Sequence, residues 1–203
     1  MMNSFPGTTF LASTFLIAMI AAPSSSAGAQ DISLSKTIGT CEGCHGPGGN
    51  SVTTTTPRLN AQLAPYLIAR FNSFRDPTTQ SPHATDNMWP ITSQTTAKIL
   101  PELAQYFATQ QPTEAQAKAP LASEGKRIYL NGTTDVPACQ KCHGEHAEGR
   151  GSIPRLAGQH RDYLKSQLLV LSLILRDSKI MHPNAVDMTE EQMNAIAEYL
   201  GNN

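Results

Sequence analysis

This sequence is short of several things at once. Aromatic residues make up 6% of its 203 residues and charged residues 15%, with a formal net charge of −1. No Lys/Arg cluster or stripe stands anywhere along it, so the electrostatic footprint of a nucleic-acid binder is missing. No alternating apolar–polar run marks a strand, which leaves helix as the regular structure. Aromatic mass for a core is scarce. Two units of about eighty residues would each need a staple, a metal or a cofactor to stand. No apolar run is long enough to cross a bilayer: the stretch Phe10 to Ala22 falls short of the roughly 20 residues required. It is followed by PSSSAGAQ, with small residues at Ala27 and Ala29, as at the cleavage site of a secretory signal peptide. No Lys or Arg precedes the run and no lipobox cysteine follows it. The expectation is a signal peptide over 1–29, cut near Ala29, and a mature chain in the periplasm. An uncleaved anchor or a buried helix is the alternative. The mature chain then has no membrane span, which leaves association with a membrane surface open.

Cysteine is scarce too, and what there is falls in two hexapeptides, CEGCHG from Cys41 to Gly46 and CQKCHG from Cys139 to Gly144. An exported chain permits disulfides, so three readings compete. Two disulfides would close very short loops, which gain little entropy, and would leave His45 and His143 without a role. A zinc site pairs two CxxC elements across about 15–20 residues, whereas 94 residues separate Cys44 from Cys139. The third reading is covalent haem, for which C-x-x-C-H is the attachment pattern. Two thiols add to the two vinyl groups of the porphyrin, and the spacing lays both sulfurs along one porphyrin edge. The next residue, an imidazole, then reaches the iron. Written twice with no cysteine to spare, the motif selects two haem c groups. Cys41, Cys44, Cys139 and Cys142 attach them; His45 and His143 ligate the irons.

The repeat continues beyond the cysteines. PRLNAQLAPYL, Pro57 to Leu67, returns as PRLAGQHRDYL, Pro154 to Leu164, at an offset of 97. MWP, Met88 to Pro90, returns as MHP, Met181 to Pro183, and LAQYF, Leu103 to Phe107, as IAEYL, Ile196 to Leu200, both at an offset of 93. Between the halves, Gln110 to Ala122 is rich in Ala, Gln, Pro and Thr, a linker composition. The expected organisation is a domain over 30–111, a linker at 112–118 and a second domain over 119–203. Both are all-α and wrapped around a covalent haem. Helices are expected over Ser33–Thr40, Ala64–Phe74, Ser123–Leu130 and Arg161–Leu175. A last helix opens at Thr189, where Gln192 completes a capping box. Pro101 makes the last helix of the first half start late or bend. LLVLSLIL, Leu168 to Leu175, reads as core packed against porphyrin, with a docking patch as the alternative.

What fills the other iron face decides carrier or catalyst. In the first half the candidates are Met88 and His83. In the second they are Met181, Met188, Met193, His146, His160 and His182. Met88 and Met181 occupy equivalent places in the repeat, each followed by one residue and a proline. His83 has no counterpart, His182 matches Trp89, Met188 matches Thr95 and Met193 matches Leu100. The repeat therefore favours Met88 and Met181 over methionine as core filler. Methionine opposite histidine raises the potential.

These residues carry a resemblance: the chain resembles the two-haem cytochrome c4 family, exported electron carriers of two class I cytochrome c domains. The likeness spans the mature chain and is sharper in the second half. In the first, RLNAQ stands in place of the RLAGQ-like form. Members often have a Phe and a Gly–x–Arg near the end of the third helix; the second half keeps Arg176 but has Leu171 and Ile174. The resemblance implies that the carbonyls of Pro57 and Pro154 accept from the ligating imidazoles. It puts Arg58 and Arg155 near the haem propionates, solvated surface arginine being the alternative. The two domains would face each other with propionate edges close. It also implies a quinol-oxidising complex as donor and a terminal oxidase as acceptor. The alternatives are a cytochrome subunit of a larger periplasmic oxidoreductase, such as a flavocytochrome dehydrogenase, and a dihaem peroxidase.

Overall fold

The computed structural model describes residue 1 and residues 27–76, 82–115 and 120–201. Among the described residues, four helices form the first half: α1 (Ala27–His45), α2 (Ala64–Arg75), α3 (Pro82–Thr92) and α4 (Leu100–Ala108). Five form the second: α5 (Ala122–Asn131), α6 (Gln140–His143), α7 (Arg161–Ser172), α8 (Met181–Ala185) and α9 (Glu190–Leu200). Among the described residues there is no strand, only an isolated bridge between Arg150 and Ile153.

Local chemistry sets the helix ends. Pro65 falls in the first turn of α2 and Pro101 in the first turn of α4, where a missing N–H is not needed. A 3-10 turn over Ala97–Ile99 leads into α4, so that helix does start late. The capping box of α9 is formed: the Gln192 amide donates to Thr189 Oγ1 at 3.3 Å, and the Thr189 amide donates to Gln192 Oε1 at 2.9 Å. Two expectations change. α1 extends well beyond Ser33–Thr40 and ends on His45 itself. α7 stops at Ser172 rather than Leu175, because Ile174 adopts a left-handed backbone (φ 56°). The amides of Leu175 and Arg176 then both return to the Val170 carbonyl. The apolar stretch is split by this reversal: Leu171 is buried and Leu168 packs on the core, while Leu169, Leu173, Ile174 and Leu175 are exposed.

The described residues build two separate cores. In the first, Phe71, Leu100, Leu103 and Phe107 are buried, with Leu34, Ile38, Cys41, Leu59 and Tyr106 against them. The second is larger, with Ile128, Tyr129, Leu164, Leu171, Met188, Met193, Ile196 and Leu200 at its centre. Its first and last helices, α5 and α9, cross at Gly125, where a Cβ would stand 1.9 Å from the Ala195 carbonyl oxygen. Only glycine permits that approach, and the crossing holds the start of the second half against its end. No helix among the described residues is long and apolar enough to cross a membrane. The expected signal peptide lies outside the described residues, apart from Met1 and the backbone of the start of α1.

Candidate functional site

Each hexapeptide delivers a buried imidazole. His45 closes α1 and His143 closes α6, with 7% and 5% of their surface exposed. His45 Nδ1 lies 2.7 Å from the Pro57 carbonyl oxygen, and His143 Nδ1 lies 3.0 Å from that of Pro154. A carbonyl can only accept, so each Nδ1 carries the proton and each Nε2 keeps its lone pair. Burial pushes both imidazoles below their ordinary pKa, against the opposing pull of the proline carbonyls. The outcome is a neutral, oriented ring with one nitrogen available to a metal, held by the kind of outer bond that raises ligand basicity.

The thiols are arranged to match. Cys41 and Cys139 are half-buried, and burial pushes both up to about 11. Cys44 and Cys142 are exposed. All four are free, which sets the disulfide reading aside. In each motif one sulfur faces the core and one faces out, with a metal-competent imidazole next in sequence. That donor set fits covalent haem twice.

The second face is uneven. Met181 opens α8 and packs against the second core together with Cys139 and Leu156. Its amide donates to Ser178 Oγ at 3.0 Å, and His182 Nδ1 donates to the Leu171 carbonyl at 2.9 Å. His182 thus ties the Met181 segment to the end of α7. Met188 and Met193 are buried core residues. Met88 sits half-buried within α3, which also contains Pro90, and it is not among the residues packed on the first core. The side chain of His83 lies outside the described residues. His146 is exposed.

The two halves meet along the PRL segments. Arg58 is 9% exposed, so it is not a solvated surface arginine; its Nη1 donates to the Gly158 carbonyl at 2.8 Å and its Nε to Asn50 Oδ1 at 3.1 Å. Arg155 is half-buried. His160, fully buried, donates from Nε2 to the Ser51 carbonyl at 2.9 Å. Arg176 joins Gln167 Oε1 at 2.6 Å and Tyr66 Oη at 3.2 Å. The Tyr66 hydroxyl is buried, which alone would raise its pKa, but the guanidinium groups of Arg176 and Arg70 hold it below the usual value.

Two seam residues escaped the sequence reading. Gln159 takes the Arg58 amide on Oε1 at 2.8 Å and donates from Nε2 to the Arg58 carbonyl at 3.0 Å. Gln62 does the same to Arg155, at 2.9 Å in both directions. The signal was a buried-type polar residue held at the same place in both copies of PRLxxQ.

Two helical units, each presenting a CxxCH thiol pair and a buried Nδ1-donating histidine, define a dihaem c-type cytochrome. Comparison with known proteins agrees. Residues 122–203 match the family model for cytochrome c. Cytochrome c4 of Thiocapsa roseopersicina is 34% identical over 174 residues, 81% of this chain and 88% of that protein. Cytochrome c-552 of Acidithiobacillus ferridurans is 31% identical over 202 residues, 97% of this chain and 88% of that one. A thiosulfate dehydrogenase electron acceptor of Thiomonas intermedia (strain K12) is 32% identical over 171 residues, 79% and 76% of the two chains. The solved structure of Acidithiobacillus ferrooxidans cytochrome c4 superposes with a TM-score of 0.75 at 33% identity, over 80% of this chain and 98% of that one. The chain belongs to the cytochrome c4 family, and it is an electron-transfer protein carrying two covalent haems.

Proposed function

We propose that this carrier works in the periplasm after losing residues 1–29, taking single electrons from a quinol-oxidising complex or a dehydrogenase and giving them to an acceptor such as a terminal oxidase. The domains are 30–111 and 119–203, joined by 112–118, in keeping with the two separate cores. His45 and Met88 would hold the iron of one haem, and His143 and Met181 that of the other. The haems supply one-electron exchange between ferric and ferrous iron. The chain supplies fixed ligands in a largely apolar setting, so little has to reorganise when the charge changes. With a histidine and a methionine held by the chain for each haem, a peroxide would find no open site, which argues against a peroxidase. Arg58 and Arg155 lie beside the seam, where the haem propionates of the two domains are proposed to approach one another.

The observation that carries the proposal is the matched pair of buried imidazoles, each with Nδ1 engaged by a proline carbonyl and hence with its lone pair on Nε2. A second reading, the dedicated electron acceptor of a sulfur-oxidising dehydrogenase, is favoured by the likeness to the Thiomonas protein. Co-purification separates the two: a stably bound dehydrogenase subunit supports the second, a free dihaem chain the first. The ligand assignment predicts that Met181→Ala and Met88→Ala each abolish half of the methionine-to-ferric charge-transfer band in the oxidised spectrum. An unchanged band in Met181→Ala would move the ligand to His182 or Met188.

A further inference from the structure

The peptide group between Pro57 and Arg58 does two jobs. Its carbonyl accepts from His45 Nδ1 at 2.7 Å, and its N–H donates to Gln159 Oε1, in the other half of the chain, at 2.8 Å. The peptide between Pro154 and Arg155 repeats this with the halves exchanged: its carbonyl accepts from His143 Nδ1 at 3.0 Å and its N–H donates to Gln62 Oε1 at 2.9 Å. Each glutamine amide is then locked by its Nε2, which donates to the carbonyl of the same arginine. Each Oε1 also takes the amide of the next residue in its own half, His160 for Gln159 and Leu63 for Gln62, at 3.0 Å. Both glutamines are buried, so water does not compete for these bonds.

We propose that Gln62 and Gln159 are crossed positioning residues: each sets the electron-donating strength of the proximal histidine, and so the haem potential, in the opposite domain. The physical chain is short. A peptide is a conjugated unit, so an acceptor on its N–H puts more negative charge on its oxygen, and bonds in series reinforce one another. A more negative Pro57 oxygen draws the His45 Nδ1 proton harder. The ring becomes a stronger donor through Nε2, which favours ferric iron and lowers the potential. Gln159 acts in this way on the His45 haem, and Gln62 on the His143 haem. The separation in sequence, 101 residues from Arg58 to Gln159, makes the effect cross the seam.

The inference rests on the two-haem reading, so the test begins with a haem count by pyridine adduct on each purified holoprotein. Fewer than two haems in the unmodified chain defeats that reading itself, and with it the inference. With two haems present, midpoints are assigned to each haem by NMR of the partly reduced protein. Gln159→Leu is expected to raise the midpoint of the His45 haem. Its ferrous-to-ferric ratio at fixed ambient potential should change on the order of two- to tenfold, the equilibrium factor of one hydrogen bond. The His143 Nδ1 proton resonance stays in place. Gln159→Glu keeps an acceptor on the Arg58 amide and adds negative charge there, at the loss of the Nε2 donor to the Arg58 carbonyl, and moves the same haem the opposite way. Gln62→Leu and Gln62→Glu give the mirror result, and carry the test if the Gln159 variants fail to mature. A shift confined to the variant's own domain, an equal shift of both haems, the same sign for Leu and Glu, or no shift would each overturn the proposal.

Discussion

At the scale of the residue, the two halves differ most instructively at Ala61 and Gly158. Both stand at the same place in the repeat, both have a positive φ (55° and 78°), and both donate to the end of the last helix, at Phe107 and Leu200 respectively. Glycine adopts this conformation freely and alanine does so at a cost of about 1–2 kcal/mol. At Gly158 a Cβ would also stand 1.7 Å from the Thr113 carbonyl oxygen, where the linker passes over it. Gly158→Ala is therefore expected to lower thermal stability by about 1–3 kcal/mol, read by calorimetry of the holoprotein. Ala61→Gly should be neutral or stabilising by up to about 1 kcal/mol; a clear loss there would contradict the strain argument. The attachment residues were legible because their chemistry is local: two sulfurs and an imidazole within five positions. Gln62 and Gln159 were visible as repeated letters only. Their partners lie in the other half of the chain, and no local pattern says which backbone group a glutamine will reach.

At the scale of the element, helix ends divide into those with a sequence signal and those without. The cap of α9 was readable because Thr189 and Gln192 form a local reciprocal pair, and it did form. Thr189→Ala should cost roughly 1 kcal/mol in holoprotein stability, with the spectrum of the ferric protein unchanged. The end of α7 was not readable. Nothing in LLVLSLIL announces that a β-branched residue, Ile174, will turn left-handed; the reversal is imposed by the return of Leu175 and Arg176 to Val170. That reversal aims Arg176 at Tyr66 and Gln167. The crossing of α5 and α9 is likewise tertiary in origin. Gly125→Ala is expected to destabilise the second domain by about 1–3 kcal/mol, since overpacking forces a backbone shift. Separate melting of the two domains, followed by far-ultraviolet dichroism and Soret absorbance, would show the loss confined to the second.

At the scale of the whole molecule, the doubled motif has a structural counterpart beyond two haem-binding units. The seam is built by two-fold repetition: Gln159 on Arg58 and Gln62 on Arg155 are the same interaction made twice in opposite directions. Around that pair the symmetry is broken by His160 on Ser51, since Leu63 stands at the matching place of the first half, while Arg176 reaches across to Tyr66. Under the proposed function such a joint would keep the geometry between the two haems constant. The likeness of Met88 and Met181 in sequence is less even in space: among the described residues, Met181 packs with the core that holds Cys139, and Met88 is not part of the core that holds Cys41. The decisive measurement is an optical redox titration of the holoprotein that follows the methionine-to-ferric charge-transfer band alongside the haem bands. The account predicts two one-electron steps per chain, with the band lost in proportion across both. A step with no loss of the band, or one ferric haem that lacks it and binds added cyanide without delay, would contradict the assignment of two histidine–methionine haems in a pure electron carrier.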